Sequence, residues 1–360
     1  MDQAYKKQLQ KQGYLFVGEH TSVKVCGWTK KKITGCGSCY KNKFYGINSS
    51  QCIQMTPATN FCDHDCTFCW RSRNNSPFGI PDDPKEIVPK SVDAHNKLLN
   101  GFPGNEKTIK AVYEESQKPR HVAISLNGEP TYYPRMSELI REYHKQGFST
   151  FVVSNGQLPE VLTKMEAPTQ LYLSLDAPNE QLYKEIDRPM RKDGWQRLMK
   201  SLEVLKDRKN DMRTAVRITL LKGKNDSFYK EYADLLDKAD PHFVEVKSYM
   251  FIGASRQRLS LADSPLHEEI VAFCEKLASM SDWKIIDDQP ASRVVLMMKK
   301  DFEGRIMDFS QPMTAKVEGD QTMESEEVEK ATSFVDENSD EVVPEQQINH
   351  TKEGMEIIVG

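Results

Sequence analysis

The chain has 360 residues, 38% of them hydrophobic and 28% charged, and a net charge of −4. That length exceeds the usual single domain but suits one large barrel with extensions. No stretch approaches the ~18 uninterrupted apolar residues of a membrane-spanning helix, and the opening M-D-Q-A-Y-K-K has no signal-peptide apolar region, so a membrane-spanning helix is excluded and a cytoplasmic protein is predicted.

Charge is unevenly spread along the chain. Residues 1–51 carry a net +7, all of it from lysines, whereas residues 317–360 carry a net −11. The basic segment suits a phosphate-facing surface. The acidic segment is weakly hydrophobic and aperiodic, which predicts a disordered tail over 311–360. Seven of the eight cysteines lie between Cys26 and Cys69, a clustering that in a reducing compartment predicts metal ligation rather than disulfides. Cys274, alone within F-C-E-K-L, reads as a buried structural thiol on a helix face.

Taken in order, the chain divides into a basic extension at 1–51, a core at 52–310 and the acidic tail at 311–360. The extension is too short and polar to own a core, so its organisation is expected around a metal. Cys26, Cys39 and Cys52 are evenly spaced, with twelve residues between successive members. Cys36 and Cys39 also form a Cys-x2-Cys pair, which leaves a four-cysteine zinc ribbon open. A strand at 52–57 then delivers the chain to N-F-C-D-H-D-C-T-F-C-W-R, which sets Cys62, Cys66 and Cys69 at Cys-x3-Cys-x2-Cys spacing. Structural zinc is almost always closed by four protein ligands, whereas three thiolates on one tight loop leave a coordination position for something else.

Beyond the loop, strand and helix signals alternate. Helices are predicted at 84–101 and 105–117 and a buried strand at 121–126. Met136, Leu139, Ile140 and Tyr143 mark the apolar stripe of the next helix. Strands follow at 149–154, 170–176, 213–221 and 242–247, with a one-sided helix through Trp195, Leu198, Met199, Leu202 and Leu205. A helix at 266–280 and two closing strands at 283–286 and 293–298 complete the core. Six strand-then-helix units predict an α/β fold, a partial (β/α)6 barrel with a parallel sheet, and such barrels gather their chemistry at the C-terminal ends of the strands. Those ends carry Asn127-Gly128-Glu129-Pro130-Thr131, Ser154-Asn155-Gly156, Ser174-Leu175-Asp176-Ala177, Arg217-Ile218-Thr219 and Glu245-Val246-Lys247. Together they outline one polar pocket, with Glu245 and Lys247 expected to form an ion pair across its mouth.

The cysteine loop resembles that of the radical S-adenosylmethionine (SAM) superfamily. From about His20 to Phe309 the chain resembles, more narrowly, the tRNA 4-demethylwyosine synthases. The residues carrying this are Cys26 with Trp28-Thr29-Lys30-Lys31, Cys39-Tyr40-Lys41 with Lys43-Phe44-Tyr45-Gly46, Cys52-Ile53-Gln54-Met55-Thr56-Pro57, the cysteine loop itself, and the downstream strand-end motifs. Eukaryotic members of that family carry an N-terminal flavodoxin-like domain that nothing here could build, so the likeness is to the stand-alone archaeal form.

The resemblance implies two 4Fe-4S clusters. Cys62, Cys66 and Cys69 would hold the SAM-binding one, and Cys26, Cys39 and Cys52 the second, with Cys36 outside the pattern. SAM contacts fall to Phe68, Asn127, Gly128, Glu129, Ser154, Asn155, Ser174, Asp176, Arg217 and Thr219. The implied reaction condenses N1-methylguanosine, next to the anticodon of tRNA-Phe, with two carbons of pyruvate. A deoxyadenosyl radical from SAM abstracts hydrogen from the N1-methyl group, and the carbon radical adds to the pyruvate carbonyl. Lys41 is the implied imine former, and Lys30, Lys31, Lys32 and Lys43 the implied tRNA contacts. An external electron donor of ferredoxin or flavodoxin type and a monomeric enzyme complete the expectation. Two other readings stay open: another two-cluster radical SAM enzyme, and a zinc-ribbon RNA-binding protein, which would leave the polar strand ends without a purpose.

Overall fold

A computed structural model describes residues 1–59, 61–71 and 79–309, together with the backbone of 347–351 and 354–358. One ten-stranded sheet runs through it, built from β1 (Leu15–Phe16), β2 (Ser22–Val23), β3 (Cys52–Thr56), β4 (His121–Ile124), β5 (Ser149–Ser154), β6 (Gln170–Ser174), β7 (Arg213–Leu220), β8 (Phe243–Ser248), β9 (Lys284–Gln289) and β10 (Val294–Met298). Strands β3 to β8 are parallel and in sequence order. Antiparallel strands flank them, β2 and β1 on one edge and β10 and β9 on the other. The six parallel strands are the predicted repeat. The β1–β2 edge was not predicted, because two-residue strands leave no periodic signal.

Helices return the chain between the parallel strands, as such connections require. The helix Pro84–Leu99 starts where Asp83 accepts a hydrogen bond from the Lys85 amide (3.0 Å) and Pro84 presets the first turn. Helix Lys110–Ser116 begins later than the expected residue 105. Asn105 accepts from the Lys107 amide (2.9 Å) and so holds a turn there instead. In helix Met136–Lys145 the predicted stripe of Met136, Leu139, Ile140 and Tyr143 is buried on the sheet. Cys274 is fully buried, as its apolar neighbours suggest.

Strand alternation divides the core into two layers. Val152, Leu171, Leu173, Val216 and Val244 point outward to the helices. Phe151, Tyr172, Ala215 and Phe243 point into the barrel, where they meet Tyr40, Phe44, Tyr45 and Ile47 from the extension. The extension thereby completes the barrel's core. Its helix Tyr40–Tyr45 plugs the interior at the level where these strands begin. Residues 301–309 fasten the plug from outside: Arg305 donates to the Phe44 carbonyl (2.9 Å) and the Met307 amide to the Tyr45 carbonyl (3.0 Å).

The acidic tail falls outside the described residues except for Gln347–Thr351 and Gly354–Ile358, whose backbones pair as an antiparallel hairpin separate from the main sheet. The expectation for 311–360 falls almost entirely outside the described residues. Among the described residues no helix is long and apolar enough to cross a membrane.

Candidate active site

Strand β3 ends at Thr56, and the thiol loop follows at the C-terminal end of the parallel strands. Burial pushes the Cys66 thiol up, and the neighbouring Asp187, Cys69, Cys62 and Asp176 add to the effect. Besides one internal bond, from the Cys69 amide to the Cys66 carbonyl (3.1 Å), the loop is shaped by its surroundings. Its first half lies against residues 186–191: the Asp65 amide donates to the Asp187 and Arg188 carbonyls (3.1 and 3.0 Å). The Thr67 amide donates to the Ile186 carbonyl (2.8 Å), and the Met190 amide to the Asp63 carbonyl (2.8 Å). The Asp63 carboxylate accepts from Tyr132 (2.7 Å), Arg191 (2.9 Å) and Asn155 (2.9 Å), and against its burial the charge of neighbouring His64, with these bonds, holds its pKa below the usual carboxylate range. Asp63 and His64 lie inside the recognised motif, but only the fold supplies Tyr132, Tyr183 and Arg191 as their partners.

Glycine is required where the next strand end meets this loop. Gly128 has φ +71°, and a Cβ there would lie 2.1 Å from the Ala58 carbonyl oxygen and 2.7 Å from that of Phe61. Glu129 is buried beside it. One carboxylate oxygen accepts from the Thr131 amide (3.1 Å) and hydroxyl (2.6 Å), the other from the Asn155 amide (2.7 Å). Burial outweighs these bonds and raises its pKa from 4.5 to about 7. The folded protein thus holds this proton more tightly than the unfolded chain. Its contribution is most favourable below pH 4.5 and is lost as pH rises through 7. Between pH 5 and 8, wild type should lose on the order of 2–3 kcal/mol more stability than Glu129→Gln. Chemical denaturation at the two pH values checks this, and equal losses in both proteins would refute it.

The other sequence-predicted residues fall on adjacent strand ends. Ser154 is buried, and its hydroxyl accepts from the Gly156 amide (3.0 Å). Asp176 accepts from the Thr219 amide (2.6 Å) and is raised by burial, with Arg217 opposing the shift. Ser174 pairs in register with Arg217, and Arg217 with Glu245. Phe68 packs beside Ile186, Leu221 and Tyr249.

A second thiol group lies deeper. Burial pushes Cys39 up to about 11 and Cys52 up to about 12, and in both the nearby Cys26 adds to the rise while Lys41 opposes it. Cys26 therefore lies close enough to Cys39 and Cys52 for its charge to act on both, and Cys36 is exposed. Cys52 opens β3 and the other loop follows its end. Four residue steps at about 3.3 Å each put the two thiol groups on the order of 13 Å apart along the strand. Burial thus makes Cys66 of the first group, and Cys39 and Cys52 of the second, resist ionisation in the free protein. Bound iron reverses that by deprotonating its thiol ligands outright, so both donor sets fit an iron–sulfur cluster.

Beside the second group stand the plug residues. The Lys41 ammonium sits 4.2 Å from the centre of the Tyr172 ring and 5.3 Å from that of Phe151. Tyr40 and Tyr45 donate to the two oxygens of the buried Glu245 carboxylate (2.8 and 2.7 Å). Lys247 donates to the Ser292 carbonyl (3.2 Å). The expected Glu245–Lys247 ion pair is thus replaced by two separate sets of contacts. Both side chains face the interior, but the plug tyrosines reach Glu245 first. Lys43 is ion-paired to Asp287 (2.6 Å), so its charge is engaged within the protein. In helix Gly27–Ile33, Thr29 and Ile33 face inward, and Lys31 lies 4.8 Å over the Trp28 ring.

A six-stranded parallel half-barrel, with a three-thiol loop after its first parallel strand and polar groups on the following strand ends, defines a radical SAM enzyme. The radical SAM superfamily model matches residues 56–236, and the model for wyosine base formation matches residues 238–299. The tRNA 4-demethylwyosine synthase of Pyrococcus abyssi is 46% identical, over 81% of this chain and 88% of its own length. That of Methanocaldococcus jannaschii is 42% identical, over 82% and 95%. A solved structure of TYW1 with a lysine-pyruvate adduct bound superposes with a TM-score of 0.76 at 39% identity, covering 83% of this chain and 96% of that one. The chain belongs to the S-adenosyl-L-methionine-dependent tRNA 4-demethylwyosine synthases, the radical SAM enzymes of wyosine biosynthesis in tRNA.

Proposed function

We propose that this enzyme builds the imidazopurine ring from N1-methylguanosine of tRNA-Phe and two carbons of pyruvate, using two 4Fe-4S clusters and a lysine imine. The observation that carries this reading is Lys41 inside the barrel, beside Cys39 and Cys52 and within 4.2 Å of the Tyr172 ring centre. No carboxylate is ion-paired to it among the described residues, so no salt bridge holds the side chain away from a carbonyl. The lysine-pyruvate adduct of the similar TYW1 structure supports the same choice of substrate.

Cys62, Cys66 and Cys69 would hold the first cluster, which when bound supplies the electron that cleaves SAM. Gly128 lets the backbone approach the methionine end of SAM. Glu129, Ser154, Asn155, Ser174, Asp176, Arg217 and Thr219 line the strand ends around it, with Phe68 and Asn127 at the rim. Cys26, Cys39 and Cys52 would hold the second cluster. Lys41 attacks the pyruvate ketone, water leaves, and the resulting imine fixes the substrate's carbonyl carbon between the two thiol groups. The aromatic walls from Phe151 and Tyr172 keep water from that carbon. Lys30, Lys31 and Lys32 meet tRNA phosphates. The enzyme acts as a cytoplasmic monomer reduced by a ferredoxin or flavodoxin.

An anaerobic assay with SAM, reductant and carbon-13-labelled pyruvate tests the reading. Product carrying two labelled carbons should form on N1-methylated tRNA and not on the unmethylated transcript. Unlabelled product, or equal product on both RNAs, would refute it.

A further inference from the structure

The second half of the thiol loop is held by a different part of the chain from the first. Arg258 donates from Nε to the Thr67 carbonyl (3.1 Å) and from Nη2 to the Cys69 carbonyl (2.6 Å). One guanidinium thereby spans the turn that carries Phe68 and Cys69. Four residues earlier the Ala254 amide donates to the Trp70 carbonyl (3.0 Å). The approach there is close enough that Gly253, at φ +58°, would place a Cβ 2.2 Å from the Trp70 oxygen. The clamp is itself braced: Tyr249 donates to the buried Ser255 hydroxyl (3.0 Å), which donates to the Ile252 carbonyl (2.7 Å). All of these clamp residues lie within 238–299, the part matched by wyosine base formation, whereas the loop belongs to the radical SAM part.

Arg258 has no carboxylate partner among the described residues, so its positive charge is directed at two loop carbonyls. We propose that Arg258 is a positioning residue for the SAM-binding cluster: it fixes the Cys69 arm of the loop and places an uncompensated positive charge one peptide group from a cluster ligand. The fork geometry explains why arginine is used. A lysine would keep the charge but could not span two carbonyls with a rigid pair of donors. A nearby cation favours the more negative, reduced state of a cluster, and so raises its potential. The part of the chain that distinguishes wyosine formation from other radical SAM chemistry thus also holds the common cofactor loop. This rests on Cys62, Cys66 and Cys69 being the cluster ligands.

The test uses the full chain as Arg258→Lys, Arg258→Gln and Arg258→Ala. In apo protein, alkylation of Cys69 followed by mass spectrometry should be about tenfold faster or more in the glutamine variant, because two charge-assisted bonds are lost, while Cys62, held by the other clamp, stays at the wild-type rate. In reconstituted protein the reduction potential, followed by electron paramagnetic resonance, should fall in Arg258→Gln and recover in Arg258→Lys. If Arg258→Ala fails to fold, the lysine and glutamine pair decides the matter. Wild-type alkylation and an unshifted potential in Arg258→Gln overturn the proposal. Failure of the underlying ligand assignment looks different: Cys69→Ala would then keep its full iron content.

Discussion

Lys41→Arg is expected to abolish 4-demethylwyosine formation while SAM cleavage and tRNA binding continue. Arginine keeps the positive charge and the cation–π contacts over Tyr172 and Phe151, but it is effectively always protonated and cannot form an imine. The backbone around it should not move. The neighbours Tyr40 and Tyr45 are anchored on Glu245, and residues 301–309 hold the helix from outside. A loss of product can then be assigned to the missing amine rather than to a displaced helix. Borohydride reduction with labelled pyruvate should mark Lys41 in the wild type and leave the arginine variant unmarked at that position. Substantial product from Lys41→Arg would return the side chain to an electrostatic role, with RNA phosphate as its partner.

The second large effect concerns iron. Anaerobically reconstituted wild type should contain about eight irons per chain, four for each thiol group. Cys62→Ala and Cys26→Ala should each lose roughly half. The two losses should also differ in kind. Without Cys62 the remaining cluster should give no change in its spectrum when SAM is added, whereas without Cys26 the SAM-dependent change should persist and product should disappear. The separation of the groups, on the order of 13 Å along β3, and their different supporting residues are the reason to expect independent losses. A wild-type content near four irons, unaltered by Cys26→Ala, would leave only the cluster after β3 and remove the proposed second one.

Much of the architecture was legible in the chain, for reasons that can be located. The parallel strands are short apolar runs bounded by polar turns, and the helix at Met136–Lys145 repeats its apolar positions every three to four residues. Both signals are local. The motif around Cys62, Cys66 and Cys69 and the polar groups ending β5, β6 and β7 could be read the same way. Barrel order then brings the strand ends side by side without further information.

What escaped that reading depends on contacts between residues far apart in sequence. Tyr40 and Tyr45 reach Glu245 across some two hundred positions, and Arg258 reaches the cysteine loop across nearly as many. For that reason the Glu245–Lys247 pair, plausible on one strand, gave way to partners that no local pattern could disclose. Lys43 is the same lesson on the surface. As one of a run of lysines it suits RNA, but the fold brings Asp287 to its ammonium. The amino-acid order by itself determined which strands and helices form and which chemical groups end them, because those choices are set by neighbours within a few residues. Only the tertiary structure decided which charges remain free and which are spent on the protein, because a buried or crowded polar group is satisfied by whatever packing brings within about 3 Å of it.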